Sequence, residues 1–289
     1  MEKNSRKLLR GIAAALREAS GSPKKNRFTT AVIVAAGRSE RMGGDIPKQF
    51  ITLDGIPAAA ASLRAYNESA YIDAIVAVVR PEDVESGIYA EFREKYALGK
   101  LVSVVAGGST RQESVLCGIE EIASPSSPGA SVLKKTEYVA IADAARPLTT
   151  PEDIDRVCIA ACRFEAATAA CRAVDSVKVA DSHGFIDSSI DRKTVWLAAT
   201  PQVFSLPLYR AAAYSALEEG FEGSDDNELV EHMGHAVKIV EIGRYNIKLT
   251  RPEDPYVAAA LAGYLKKKAA EEYEQSHTAA VKKTGPDNK

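Results

Sequence analysis

Val32-Ile33-Val34-Ala35-Ala36-Gly37-Arg38-Ser39-Glu40-Arg41-Met42, followed a few residues later by Pro47-Lys48-Gln49-Phe50, is the stretch that decides the fold. A run of β-branched residues gives way to two alanines and a glycine, and then to a loop that carries cations. Small residues at a strand's end let backbone N–H groups approach an oxyanion closely, and Arg41 and Lys48 follow within reach of the same point. The pattern predicts a strand, a phosphate-cradling turn and one end of a nucleotide site. It lacks the Gly-Lys-Ser/Thr of a Walker loop and the Gly-x-Gly-x-x-Gly of a dinucleotide fingerprint, which speaks against a P-loop NTPase and against a nicotinamide-dependent oxidoreductase.

Outward from that stretch, short Val/Ile runs at 31–35, 75–79, 101–105 and 138–142 alternate with longer Ala-, Glu- and Arg-rich segments. This rhythm predicts an α/β fold, a Rossmann-like, mostly parallel twisted sheet flanked by helices on both faces. Thr150-Pro151-Glu152-Asp153 and Thr250-Arg251-Pro252-Glu253 each place a hydroxyl, an early proline and acidic groups in a first turn, predicting helices over about 151–166 and 252–274. Between them, Ser176-Val177-Lys178-Val179-Ala180 alternates like a strand, Asp181-Ser182-His183-Gly184 reads as a turn, and 185–196 returns with β character. A hairpin arm over about 174–198 is expected. Ser124-Pro125-Ser126-Ser127-Pro128-Gly129 reads as a surface loop, no internal repeat is present, and one domain over 28–274 is expected, followed by a disordered polar tail at 275–289. Residues 1–27 hold eight Lys or Arg against two Glu and read as an appended basic extension.

The 289 residues are 46% hydrophobic and 26% charged, enough for a substantial core, and the formal net charge of -2 supplies no global field for nucleic acid or an anionic membrane. Any polyanionic ligand must therefore be held by a local site. Cys117, Cys158, Cys162 and Cys171 form no CxxC pair and are expected to be core thiols of a reducing compartment. No apolar run approaches membrane-spanning or signal-peptide length, so a cytoplasmic location is expected. His183, His232, His235 and His277 have no metal-ligand spacing, His232 and His235 read as an exposed helix pair, and Trp196 and Tyr214 read as core or interface residues.

Further segments narrow the function. The loop A-A-G-x(3)-R-M with P-K-Q, then Gly107-Gly108-Ser109-Thr110-Arg111-Gln112-Glu113-Ser114-Val115, Asp143-Ala144-Ala145-Arg146-Pro147, Thr200-Pro201-Gln202 and Asn246-Ile247-Lys248-Leu249-Thr250-Arg251-Pro252-Glu253-Asp254 occur in this order. Together they resemble the cytidylyltransferases that act on methylerythritol phosphate and its relatives, over about 30–265. The resemblance implies that Ala35, Ala36, Gly37, Arg41 and Lys48 hold the triphosphate of CTP, with Gly108, Ser109 and Ser114 around cytosine and ribose. It points to Asp143, Arg146, Ser176, Arg192, Thr200, Ser224 and Lys248 for the sugar phosphate, and to Arg41, Lys48, Arg192 and Lys248 as the catalytic set. Ser176 and Ser224 stand where the pattern has threonine, and keep the hydroxyl; Ala142 stands where histidine or another polar residue is frequent.

The implied reaction joins CTP to a sugar-alcohol phosphate and releases pyrophosphate, a step of non-mevalonate isoprenoid synthesis when the acceptor is methylerythritol phosphate. Mg²⁺ held mainly by the CTP phosphates is the implied cofactor, with no protein metal ligands. A homodimer is implied as well, with the arm bringing Ser176 and Arg192 into the neighbour's site. Two other readings stand beside this one: a ribitol 5-phosphate cytidylyltransferase, which shares the nucleotide loop, and a catalytically silent nucleotide-binding subunit.

Overall fold

The computed structural model describes residues 27–37 and 47–283, with side chains as far as residue 271. The expected basic extension at 1–27 lies outside the described residues except for Arg27.

A seven-stranded sheet forms the centre: β1 (Thr29–Val34), β4 (Ala74–Val79), β5 (Leu101–Ala106), β6 (Tyr138–Asp143), β7 (Ala166–Arg172), β10 (Trp196–Ser205) and β11 (Lys238–Glu241), in the order β11-β7-β10-β6-β1-β4-β5. Neighbours pair in parallel except β10, which runs antiparallel to both β6 and β7. The central strands β4 and β6 are buried along their whole length, the expected consequence of a sheet covered on both faces. Alternate residues feed two separate cores. Ala31, Ile33, Ile75, Ala77 and Val79 pack on one face with Leu63 and Tyr66 of helix α1 (Ala58–Glu68). Val32, Val76, Val78, Val139 and Ile141 pack on the other with Val115 and Ile119 of the helix at Arg111–Ala123. That helix approaches β1 so closely that a Cβ on Gly118 would stand 2.5 Å from Val32 Cγ1, so a larger residue there would push helix and strand apart.

The remaining helices in chain order are α2 (Pro81–Glu85), α3 (Ile88–Lys95), α4 (the Arg111–Ala123 helix), α5 (Ala130–Leu133), α6 (Pro151–Phe164), α7 (Leu206–Glu219), α8 (Asp226–His232) and α9 (Asp254–Lys283). A two-stranded turn, β2 (Thr52–Leu53) with β3 (Ile56–Pro57), reverses through Asp54 and Gly55, both at positive φ as a tight hairpin requires. The start of α6 follows the sequence reading: the Thr150 hydroxyl accepts the Asp153 N–H at 3.2 Å with Pro151 in the first turn.

Four sequence expectations are corrected, in whole or in part. The C-terminal helix, expected over 252–274, starts at Asp254, because the Asp254 carboxylate collects the N–H groups of Thr250 and Arg251 just before it, and it runs to Lys283. The β character expected over 185–196 is interrupted: β9 (Ile186–Ile190) is followed by a 3-10 turn at Arg192–Thr194 before β10 begins at Trp196. His232 closes α8, stacked on Phe221 and bonded to Glu219 at 2.7 Å, whereas His235 lies beyond the helix beside Glu165, so the two do not form a helix pair. Cys158 is buried as expected; Cys117, Cys162 and Cys171 are only half-buried, and all four thiols are free.

β8 (Val177–Ala180) and β9 pair only with each other and form the expected hairpin. Its turn is held by the Asp181 carboxylate, which accepts the N–H groups of His183 and Phe185, both at 2.9 Å. The hairpin carries its large apolar side chains in solvent, Phe185 at 73% and Ile186 at 65% exposure. Among the described residues no helix is long and apolar enough to cross a membrane.

Candidate active site

The carboxyl ends of β1, β4, β5 and β6 surround a cleft of about 660 Å³, at the edge where parallel α/β sheets place their ligands. Ala35, Ala36 and Gly37 leave the end of β1 as its floor, and the Ala35 N–H donates to the Val78 carbonyl at 2.7 Å, which fixes the turn to the neighbouring strand. Lys48, at the start of the 3-10 turn Lys48–Phe50, folds over this floor: its Nζ would stand 3.7 Å from a Cβ on Gly37. The expected small-residue floor and one of its two cations thus meet. Arg41 lies outside the described residues.

Opposite stands Asp143, the last residue of β6, 7% exposed. Its carboxylate meets Lys248 Nζ at 3.0 Å, Arg146 Nε at 3.3 Å and Arg111 Nε at 3.5 Å. Burial alone would raise this carboxyl, but Lys248, Arg111 and Arg146 outweigh that effect and hold it well below the usual carboxylate range. It is a fixed anion at any physiological pH. Arg111 also reaches the fully buried Asp226 at 2.7 Å; burial would lower its pKa, and the two carboxylates raise it above the ordinary arginine value.

Three of the sequence motifs are knitted together behind Asp143. The Thr200 hydroxyl accepts the Asp143 N–H at 3.1 Å, the Asn246 amide donates to the Thr200 carbonyl at 2.9 Å, and Arg146 donates to the Asn246 carbonyl at 2.7 Å. Thr200 is buried in this network rather than on the cleft wall, and Arg146 has its guanidinium engaged on Asp143 and Asn246; of the group, Asp143 and Lys248 line the cleft.

The third wall comes from the turn after β5. Gly107 is required by close approach, since a Cβ there would stand 2.5 Å from Ala36 Cβ and 2.7 Å from Ser114 Oγ. Thr110 caps α4 in a reciprocal box: its hydroxyl accepts the Glu113 N–H at 3.1 Å, while Glu113 Oε2 accepts the Thr110 N–H at 3.3 Å. Glu113 Oε2 also accepts from the Ser109 N–H at 2.7 Å and the Ser109 hydroxyl at 2.5 Å, and Ser114 donates its hydroxyl proton to the Thr110 carbonyl at 2.8 Å. Gly108, Ser109 and Ser114 all line the cleft.

The remaining expected site residues lie elsewhere in this chain. Arg192, exposed at the base of the arm, donates to the Val174 carbonyl at 2.9 Å; Ser176 is exposed just before β8; Ser224 is exposed, its N–H donating to Glu228 at 2.7 Å. None of the three lines the cleft. Trp196 opens β10 under the Arg172 guanidinium, 4.2 Å from its ring centre, and neither it nor Tyr214 faces the cleft.

Two cleft cations were absent from the expected set. Arg111 sits one turn before Ser114 on α4, and that i, i+3 spacing is the signal that could have found it. Arg80 follows the last residue of β4 and precedes the proline that opens α2, a charged residue at a parallel strand's carboxyl end; it is held by Asp83 at 2.5 Å. Among the described residues no three of His, Cys, Asp or Glu converge as metal ligands, and the carboxylates on the cleft wall are Asp143, committed to cations, and Glu82.

The family model described as 2-C-methyl-D-erythritol 4-phosphate cytidylyltransferase matches residues 29–264. A protein of that name from Caldanaerobacter subterraneus subsp. tengcongensis is 42% identical over 229 residues, 79% of this chain and 96% of its own, and one from Pelotomaculum thermopropionicum is 37% identical over 231 residues, 80% of this chain and 92% of its own. Among solved structures, the 4-diphosphocytidyl-2C-methyl-D-erythritol synthase of Anaerococcus prevotii superposes with a TM-score of 0.69 at 28% identity, over 83% of this chain and 96% of that one. The cytidylyltransferase of Thermus thermophilus superposes with a TM-score of 0.62 at 26% identity, over 81% of this chain and 98% of that one. With the family model spanning the whole sheet and the cleft, the chain belongs to the 2-C-methyl-D-erythritol 4-phosphate cytidylyltransferase family.

Proposed function

We propose that this chain, a nucleotidyltransferase, transfers the cytidylyl group of CTP to 2-C-methyl-D-erythritol 4-phosphate, giving 4-diphosphocytidyl-2-C-methyl-D-erythritol and pyrophosphate. The observation that carries the reading is the cleft itself, with the small-residue floor and Lys48 on one side and the Asp143–Lys248 pair on the other. The triphosphate lies over Ala35, Ala36 and Gly37, with Lys48 and Arg41 opposing the charge that gathers on the α-phosphate and the leaving pyrophosphate. Cytosine and ribose lie against Gly108, Ser109 and Ser114. A divalent cation such as Mg²⁺ would be carried by the CTP phosphates over this floor, beside Lys48, and would supply further neutralisation of the triphosphate charge.

The acceptor's phosphate oxygen attacks the α-phosphorus in line, the bond to the β-phosphate bridging oxygen breaks, and pyrophosphate leaves. A phosphate monoester has its second pKa near about 6, so the nucleophile is already ionised at neutral pH and needs no general base. Lys248 and Arg192 hold the acceptor's phosphate, while Asp143 and its network orient the acceptor's hydroxyls. Arg192 and Ser176 are exposed on the arm and off their own cleft, which supports a homodimer whose arms enter each other's sites.

The family model and the named relatives favour methylerythritol phosphate over ribitol phosphate as acceptor. Pyrophosphate release from CTP and Mg²⁺ should occur with methylerythritol 4-phosphate and not with ribitol 5-phosphate. Release with ribitol 5-phosphate alone would move the chain to polyol-phosphate activation, and release with neither would leave a silent nucleotide-binding subunit.

A further inference from the structure

The wall formed by Gly107–Ser114 differs from the rest of the cleft in what its polar atoms can do. Elsewhere the lining is cationic, with Lys48, Arg80 and Lys248. Here the one cation, Arg111, is turned onto Asp143 and Asp226, and the protons of Gly107, Ser109, Thr110 and the Ser114 hydroxyl are already spent. The Gly107 N–H donates to the Val79 carbonyl at 2.8 Å, the Ser109 N–H and Thr110 N–H donate to Glu113, and the Ser114 hydroxyl donates to the Thr110 carbonyl. A serine hydroxyl has one proton, and that of Ser109 goes to Glu113 Oε2 at 2.5 Å. What Ser109 Oγ and Ser114 Oγ can still offer a ligand is lone pairs.

From this we infer that Glu113 is the positioning residue for base selectivity: by taking the protons of Ser109 and Thr110 it leaves Ser109 Oγ as a hydrogen-bond acceptor, which favours a pyrimidine bearing an exocyclic amino group over one bearing a carbonyl. The inference rests on the cytosine placement proposed above. Cytosine presents a donating 4-amino group where uracil presents an oxygen, and an oxygen facing Ser109 Oγ finds no proton and two opposed lone pairs. The carboxylate is suited to the task because it accepts and never donates while ionised; the hydrogen bonds from Ser109 hold its pKa below the usual glutamate value, so it stays ionised throughout the physiological range. Replacing it by alanine returns the Ser109 N–H, the Ser109 hydroxyl proton and the Thr110 N–H to the cleft as donors that uracil's oxygen can use. Glutamine keeps an acceptor oxygen at the same place and preserves the capping box.

The test is kcat/KM for CTP and for UTP with methylerythritol 4-phosphate and Mg²⁺, using the full chain and its Glu113→Ala and Glu113→Gln variants, each shown to be folded by circular dichroism. The CTP:UTP ratio should fall about tenfold in Glu113→Ala, from both a loss with CTP and a gain with UTP, and stay within about threefold of wild type in Glu113→Gln. A folded Glu113→Ala that keeps the wild-type ratio overturns the assignment, as does an equal loss in the two variants. If the wild-type chain itself uses CTP and UTP alike, the fault lies earlier, in the placement of the base against this wall.

Discussion

The nucleotide cleft and the hairpin arm are built on opposite physical terms. The cleft is framed by the sheet: β1, β4, β5 and β6 end at it, and the turn before α4 is locked by the Thr110–Glu113 box. The arm pairs only within itself and leaves Val179, Phe185, Ile186 and Ile190 in solvent. A monomer gains nothing by exposing such residues, at roughly 25 cal/mol lost per Å² of apolar area left in water. The contrast teaches that the nucleotide side of the cleft is fixed within one chain, whereas the arm, with Ser176 and Arg192, presents apolar surface that its own chain does not cover, as the proposed homodimer requires.

The largest effect belongs on the fixed side. Lys48→Ala should lower kcat about a thousandfold, the scale set by removing one charge-stabilising group from a phosphoryl-transfer site, and leave the thermal midpoint close to wild type because Lys48 lies on the cleft surface rather than in the core. Unchanged turnover would remove it from the mechanism. The same variant sharpens the comparison when mixed with Arg192→Ala. If the arm serves the neighbouring site, half the dimers after exchange are mixed and each has one intact site, so about a quarter of wild-type activity returns. Mixed dimers without activity would place both residues in the same site.

Asp143→Asn ranks next. Removing the charge leaves Lys248, Arg146 and Arg111 facing a neutral amide, at a cost of about 2 to 3 kcal/mol, toward the low end for a broken buried pair because Lys248 and Arg111 keep part of their hydration. The carboxyl is depressed in the folded state, so its contribution is fully present above its unfolded pKa of about 4 and is lost as pH falls below that toward the folded value. In urea titrations the asparagine variant should therefore be less stable at pH 7 and lose less stability than wild type below about pH 4. Parallel pH curves for the two proteins would show that the cations do not act on Asp143.

How much of this was legible beforehand divides along the same line. The strands at 31–35, 75–79 and 138–142 were readable because burial on both faces forces apolar runs, the edge strand at 101–105 because its Val/Leu run survives half-burial, and the Thr150 cap because its chemistry is local. Asp143, Lys48 and Lys248 were readable through motifs. Arg80 was not, because its place in the cleft depends on β4 lying between β1 and β5, a fact of strand order that no local pattern carries. The continuation of α9 to Lys283 was missed for a related reason: a polar, charged segment reads as tail on composition, yet helix propagation from an anchored start needs only residues of adequate propensity. His232 was misread because its partners, Phe221 and Glu219, come from a different segment.

The smallest effect on the folded chain is expected at the arm's tip, and it carries the most information about assembly. Phe185 and Ile186 touch too little of their own chain to stabilise it, so Phe185→Ser with Ile186→Ser should shift the unfolding free energy of the dissociated chain by no more than about 0.5 kcal/mol, the range of ordinary surface substitutions. Their burial in a dimer would contribute about 1.5 kcal/mol or more for each side chain, and each protomer brings both, so dimer dissociation measured by sedimentation should tighten or weaken by orders of magnitude with them. Weakened association with an unchanged folded chain fits a surface made for a second copy. A variant that destabilises the isolated chain instead would mean that the arm packs on its own body, and would erase the distinction between a fixed cleft and an uncovered arm.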